Sequence, residues 1–319
     1  MLMVRGRFFF VFFLLHSFLF AAENSIRVGP LPDHLESFIV SLIDGAHTRL
    51  WVAMYRLTSA PCVHALVRAK QRGVDVRVVL DRQVLGLPVH TAARRHFAQA
   101  GIIPWWGGGG NLMHHKWAVI DNHLVTGSAN WTYAGLNKNH EVCFLCDTPA
   151  VVQRYVTHFI VLTRRISGLA ALSPPSNGAV FFIPDHRKSF RSALIAAIDK
   201  AERRICISMY AFTSKWCWQK VIAAAARGVL VKLILEPSQI TTPAYIIQAQ
   251  KFGVKVKKYG VNRDILHDKC VIVDDKVWLG SMNLTGVGTS SNEENMLLMH
   301  EPSLVTKVAA CFDRLFDGL

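Results

Sequence analysis

Apolar residues run almost unbroken through WVAMY (51–55) and VRVVL (76–80), the pattern of strands buried on both faces. Between them, SAPCVHALVRAKQRG (59–73) spaces its apolar positions at helical intervals and ends in Gly73, which predicts a helix with a glycine stop. The alternation returns later: RICISMYAFTS (204–214) and RGVLVKLILE (227–236) bracket SKWCWQKVIAAAARG (214–228), which closes on Gly228. Strands joined by helices predict an α/β layer fold.

The return is a duplication. RLWVAMYRLTS (49–59) answers RICISMYAFTS, RGVDVRVVLD (72–81) answers RGVLVKLILE, and PDH at 32–34 answers PDH at 184–186. His114, Lys116, Asp121, Gly127, Ser128, Asn130, Thr132 and Glu141 match His267, Lys269, Asp274, Gly280, Ser281, Asn283, Thr285 and Glu294, each 153 positions on. The Pro- and Ser-rich ALSPPSNG (171–178) reads as the linker. The expected organisation is a leader over 1–22, a first repeat over 23–170, the linker over 171–178 and a second repeat over 179–319. Two α/β/α halves of this kind are expected to dock about a pseudo-twofold axis with a site at their interface.

The duplicated core is MHHKWAVID (113–121) and LHDKCVIVD (266–274). Residues two apart on a strand share a face, so His114 points with Lys116 and His267 with Lys269. His115 and Asp268 alternate away, and His115 is expected to be an exposed neighbour. Asp121 and Asp274 complete the motif and count among the candidate catalytic residues, although parity turns them from the histidines and suggests a role in closing the turn. TGSANWT (126–132) and LGSMNLT (279–285) each read as strand, glycine turn and helix start. They would offer Ser128, Asn130, Ser281 and Asn283 as donors to a phosphate. Glu141 and Glu294 are the candidates for fixing the tautomer of each imidazole. Gly107–Gly110 reads as a flexible loop, and Trp105, Trp106 and Trp117 suit either core packing or stacking on a ligand.

Two histidines, two lysines and two asparagines around one pocket suit a phosphodiester. The cations and amides stabilise a trigonal-bipyramidal phosphorus. One neutral imidazole attacks, and its protonated partner supplies the leaving oxygen with a proton and later activates water. A double displacement needs both groups, one on each side of phosphorus, and a duplicated unit supplies both.

Charge adds a preference for anionic partners. The net charge is +14, of which +7 lies in residues 26–165 and +6 in 176–319, so no single tail carries it. MLMVRGR followed by FFFVFFLLHSFLF and Ala21–Ala22 has the form of a secretory signal, with a short uncleaved anchor as the rival reading. Export to the periplasm or medium is the expected localisation. Of seven cysteines, Cys143 and Cys146 in EVCFLCD would lie on opposite faces of a strand, and no second pair exists to build a zinc site. No metal or cofactor is expected.

The paired HxKxxxxD motifs, each followed by GSxN, resemble the phospholipase D superfamily. The wording of the first copy, MHHKWAVIDNHLVTGSANWT, is similar to the bacterial nuclease and mitochondrial cardiolipin hydrolase branch. The resemblance implies metal-independent chemistry through a phospho-histidine, with His114 as nucleophile and His267 as general acid. It also implies Lys116, Lys269, Asn130 and Asn283 as phosphate ligands and the two glutamates as orienters of the histidines. Three functions follow: a phospholipid hydrolase or transphosphatidylase, an exported endonuclease on DNA or RNA, and a non-catalytic binder of anionic membrane or nucleic acid. A fused pair has less need of a partner subunit, which predicts a monomer.

Overall fold

The computed structural model describes residues 35–168, 180–260 and 264–319, together with the main chain of 25–28. The leader, the linker and the first PDH lie outside the described residues. In chain order the strands are β1 (Ser25–Val28), β2 (Arg49–Met54), β3 (Asp75–Asp81), β4 (Trp105–Gly107), β5 (Lys116–Ile120), β6 (His123–Gly127), β7 (Val142–Cys146), β8 (Val180–Ile183), β9 (Arg204–Met209), β10 (Leu230–Leu235), β11 (Lys255–Lys258), β12 (Lys269–Val273), β13 (Lys276–Gly280) and β14 (Glu294–Met299). The helices are α1 (Leu35–Asp44), α2 (Ala60–Gln71), α3 (Thr91–Gln99), α4 (Tyr133–Asn137), α5 (Pro149–Ile166), α6 (Arg187–Asp199), α7 (Lys215–Ala226), α8 (Pro243–Lys251) and α9 (Pro302–Asp317).

Each repeat builds a seven-stranded mixed sheet. The orders are β1-β7-β6-β5-β2-β3-β4 and β8-β14-β13-β12-β9-β10-β11, the same sequence of equivalent strands. The α/β/α duplication read from the hydrophobic pattern is therefore the architecture. The two expected helices end as predicted, with Gly73 at φ +88° and Gly228 at φ +93°, a region glycine enters without steric cost.

Three apolar clusters fill the layers. In the first repeat, α1, α2 and α3 cover the outer sheet face with Ile39, Ile43, Leu66 and Phe97. In the second, α6, α7 and α8 do the same with Phe190, Leu194, Trp218 and Ala249. The third cluster belongs to both halves: Trp51, Trp117 and Phe144 from the first sheet, Phe182, Cys270 and Leu297 from the second, and Phe159 of α5 and Phe312 of α9. The closing helix of each repeat thus packs into a core that spans the duplication.

This layering sets the two faces of the motif strands. Ala118 and Ile120 of β5 face the outer cluster, while Trp117 and Val119 face the shared one. In β12, Val271 and Val273 face outward and Cys270 and Ile272 inward. Trp117 is fully buried core. Cys143 and Cys146 fall in different clusters, as the strand reading required. All seven cysteines are free thiols.

Candidate active site

The site forms where the two motifs meet. Main-chain bridges tie the segment before each motif strand to the other repeat: Met113 pairs with Glu293, and His140 with Leu266. The His114 N–H donates to the Glu293 carbonyl (2.8 Å), and the His267 N–H to the His140 carbonyl (2.8 Å). The same stitch, made twice, brings His114 and His267 into one electrostatic environment.

The histidine–glutamate pairs cross between repeats. His114 Nδ1 lies 2.9 and 3.0 Å from the two carboxylate oxygens of Glu294. His267 Nδ1 stands 2.9 and 3.0 Å from those of Glu141. Each glutamate, expected as an orienter, holds the histidine of the other half. With Nδ1 engaged, Nε2 is the ring atom available to phosphorus.

Each carboxylate is itself clamped. Ser128 Oγ donates to Glu141 Oε2 and Ser281 Oγ to Glu294 Oε2, both at 2.5 Å. Asn139 Nδ2 donates to Glu141 Oε1 and Asn292 Nδ2 to Glu294 Oε1, both at 3.2 Å. This corrects the reading of the two serines: their hydroxyls are committed to the glutamates, and the hydroxyls also accept the Val142 and Asn295 N–H groups. They position the carboxylates. The preceding glycines are needed for close approach. A Cβ on Gly127 would sit 2.1 Å from the Val142 carbonyl oxygen, and one on Gly280 would sit 2.1 Å from that of Asn295.

The lysines are buried, and each donates to the carbonyl of its own motif histidine: Lys116 to His114 (2.7 Å) and Lys269 to His267 (2.6 Å). Asn283 Oδ1 accepts the Ala211 N–H (3.2 Å). Among the described residues nothing accepts from the Nδ2 of Asn130 or Asn283. Those amide groups, unlike the serines, remain available to a phosphate.

Asp121 and Asp274 have their carboxylates committed to main-chain N–H groups at the turn, as strand parity suggested. Both sit at the turn after the motif strand with φ of +50° and +48°. Asp121 accepts from the His47, Thr48 and Arg49 N–H groups at 2.8–2.9 Å. Asp274 does the same for Glu202, Arg203 and Arg204 at 2.9 Å. They tie the hairpin to the start of the neighbouring strand. Burial opposes ionisation of Asp121, but the hydrogen bonds from Arg49, Thr48 and His47 prevail and hold its carboxyl at about 2.

His115 was expected at the surface and is instead fully buried. It does alternate away from His114, but the face it reaches is covered by α5. Its Nε2 is 3.0 Å from Nε2 of His158, and its Nδ1 is 3.4 Å from Asn295 Oδ1. Asp268, in the same slot of the second motif, is also buried. It accepts from Ser208 Oγ (2.6 Å) and lies 2.9 Å from His140 Nδ1.

Several contributors escaped the motif reading. Tyr55 and Tyr210 lie against the catalytic-candidate rings, centroid to centroid 5.0 Å from His114 and 4.9 Å from His267. Lys116 and Lys269 stand over the same two tyrosines at 5.2 and 4.9 Å. The Met-Tyr pair shared by the repeats at 54–55 and 209–210 was the available signal. Asp81 accepts the Met113 N–H (2.6 Å) and Glu236 the Leu266 N–H (2.9 Å), so an acidic residue at the end of β3 or just after β10 fixes the residue before each histidine. Within the glycine run Gly108 serves this contact, with φ +72° and a Cβ there meeting Asp81 Oδ2 at 2.6 Å, whereas a Cβ on Gly109 or Gly110 would meet nothing within 4 Å.

Burial controls the protonation states. It drives His114 well below the usual imidazole range, helped by Lys116, Lys269 and His267. Burial lowers His267 too, opposed by Glu141. Burial brings Lys269 down to about 8 against the pull of Glu141, and takes Lys116 well below its usual value. The glutamates part company. Burial raises Glu294 to about 7, whereas His267 and Lys269 overcome the burial of Glu141 and keep it ionised. Glu294 therefore competes with His114 for a proton near neutral pH, whereas the Glu141 carboxylate stays ionised beside His267.

Fold and site together define a duplicated α/β/α protein with a two-histidine centre completed across its internal interface. A family model described as the cardiolipin synthase, phospholipase-D-like domain matches residues 39–162 and 194–316, once in each half. The chain belongs to the phospholipase D superfamily. It is 30% identical to a mitochondrial cardiolipin hydrolase of Xenopus laevis over 133 residues, 41% of this chain and 62% of that protein. It is 32% identical to a phospholipase D of Rickettsia conorii over 111 residues, 34% of this chain and 54% of that protein. The chain thus spans little more than half the length of these relatives. The crystal structure of phosphatidylserine synthase from Haemophilus influenzae superposes with a TM-score of 0.67 over 89% of this chain and 84% of that one; at 16% identity it shares the fold.

Proposed function

We propose that this protein cleaves phosphodiester bonds of phospholipids by double displacement through a phospho-histidine. The crossed pairing of His114 with Glu294 and His267 with Glu141 carries the reading. It orients two imidazoles at the seam of the repeats through Nδ1, and among the described residues no side chain hydrogen-bonds either Nε2. His114, the more strongly depressed, attacks as the neutral base, and its Nε2 lone pair forms the N–P bond. The P–O bond to the leaving group breaks, and that oxygen takes the Nε2 proton of His267, whose positive charge Glu141 supports. Neutral His267 then removes a proton from water, which attacks phosphorus and releases His114. Lys116, Lys269, Asn130 and Asn283 hold the non-bridging oxygens.

A lipid substrate is supported by the names of the relatives and by exposed apolar side chains close in sequence to the site residues: Tyr133 after Asn130, Ile265 before His267 and Val287 after Asn283. A second reading, an endonuclease on single-stranded nucleic acid, is supported by the net charge of +14 spread over both halves.

The test is turnover of cardiolipin, phosphatidylcholine and oligothymidylate by the full chain, with and without EDTA. Lipid cleavage undiminished by chelator is the expected result, with His114→Ala and His267→Ala each about 10³-fold slower or worse. DNA cutting with inert lipids would replace the first reading by the second. Turnover unchanged in either variant would end both. Activity should also decline above about pH 8, where Lys269 loses its proton.

A further inference from the structure

The two halves match at the histidines, lysines, serines and glutamates, and differ in the residues that flank them. Between His and Lys stands His115 in the first motif and Asp268 in the second. Before the orienting glutamate stands His140 in the first repeat and Glu293 in the second. Because the pairs cross, the half-site of His267 receives Asp268 and His140, and the half-site of His114 receives His115 and Glu293.

These differences are built into the interior. Asp268 and His140 come from different repeats, are buried, and meet at 2.9 Å, with Ser208 Oγ on the second carboxylate oxygen at 2.6 Å. The charged neighbours of the pair are Glu141, which acts on His140, and Lys269, on which Asp268 acts; Tyr259 lies beside His140, and the thiols of Cys270 and Cys311 share the small cavity lined with Val142 and Phe312. His140 also brackets His267 through the main chain, donating to the Ile265 carbonyl (2.9 Å) and accepting the His267 N–H (2.8 Å). On the other side, His115 bonds the ring of His158 and the Asn295 amide among the rings of Trp117 and Phe182, and Glu293, the residue before Glu294, lies 3.5 Å from Arg165.

We propose that the buried His140–Asp268 pair makes the two half-sites inequivalent and fixes His267 as the proton donor, leaving His114 to attack. This rests on the phosphodiester reading above. An imidazolium at His140 sits beside Glu141 in sequence and favours its ionised form, which favours the proton on His267. Asp268 lies directly behind Lys269 and His267 with the same effect. Asp268 overcomes the burial of His140 and raises its pKa, which favours an imidazolium at His140. The groups facing His267 are Glu141, Lys269, Lys116, His114 and Tyr210, and of the two half-sites this one has the added histidine–carboxylate pair. His140 and Asp268 are positioning residues. They touch no substrate, and the bond changes remain those given above: N–P forms at His114, P–O breaks, and the leaving oxygen gains the His267 proton.

The test uses the full-length chain with Asp268→Asn and His140→Gln. Two substrates are compared: bis(p-nitrophenyl) phosphate, whose leaving group needs no proton, and phosphatidylglycerol or oligothymidylate, whichever the wild type turns over, whose alkoxide does. Both variants should lose about tenfold to a hundredfold in kcat/KM on the alkoxide substrate. They should stay within about threefold on the nitrophenyl ester, which also reports an intact fold. In His140→Gln the alkaline limb that reports His267, below the Lys269 step near pH 8, should move to lower pH and the acid limb stay in place. Equal losses on both substrates with unshifted limbs, or no loss at all, would overturn the proposal while sparing the phosphodiester reading. A wild type inert on all three substrates would overturn both.

Discussion

At the scale of single residues, the motif aspartates separate structure from chemistry. Asp121 gathers three main-chain N–H groups and a threonine hydroxyl into one carboxylate, and Asp274 repeats the arrangement without the hydroxyl. Charge-assisted bonds of this kind matter to stability, discounted here because the carboxylates are partly exposed. Asp121→Ala should therefore cost about 1–2 kcal/mol of stability and leave kcat of the folded enzyme within about twofold. Urea titration and turnover by the same preparation check this; a large loss in kcat with unchanged stability would return Asp121 to the chemistry. The sign with pH follows from its depressed pKa: the contribution is complete above the ordinary value of 3.8 and fades as pH falls toward about 2. Strand parity already hinted at this role, but it took the left-handed φ at the turn to show where the carboxylate goes.

At the scale of elements, the closing helices decide what happens behind the site. α5 presents His158 to His115 and stacks it on Phe182 of β8 at 3.7 Å. Burial lowers both imidazoles, His115 to about 3, so both are buried neutral. The unfolded chain binds protons that the folded chain refuses below the ordinary value of 6.5. Stability is then full above that pH and falls as pH drops through it, by about 2 kcal/mol per imidazole at pH 5. Melting temperatures of wild type and His158→Leu between pH 7.5 and 5 should show a shallower acid decline in the variant; parallel curves would mean that His158 is protonated in the fold. These helices also explain the limits of the sequence. Alternation along β5 correctly turned His115 away from His114, yet burial of that face depends on a helix thirty residues later, which strand parity does not encode. The repeat offset exposed the glutamates as orienters because each half could be compared with the other. It could not say that each serves the opposite histidine, since equivalence within a chain carries no information about which copies touch. Asn139 and Asn292 were equally visible at that offset, but an asparagine two residues before a glutamate signals nothing until each is seen to donate to Oε1 of its own glutamate.

At the scale of the molecule, the duplication has lost its independence. The central cluster draws Trp51, Trp117 and Phe144 from one sheet, Phe182, Cys270 and Leu297 from the other, and Phe159 and Phe312 from the two closing helices. Separating the halves would expose that cluster and strip each histidine of its glutamate, leaving buried polar groups without partners. No half should therefore hold its structure once the other has unfolded. The expectation is one calorimetric transition, with calorimetric and van't Hoff enthalpies in agreement although the chain is longer than most that behave this way. Asp121→Ala in the first half and Asp274→Ala in the second should each lower that same transition, since either weakens a unit whose loss dissolves both. Two resolved transitions, each sensitive to only one of the substitutions, would show the halves to be separable bodies. The crossed pairs would then be contacts made after folding, and the site would owe its geometry to docking and not to a common core.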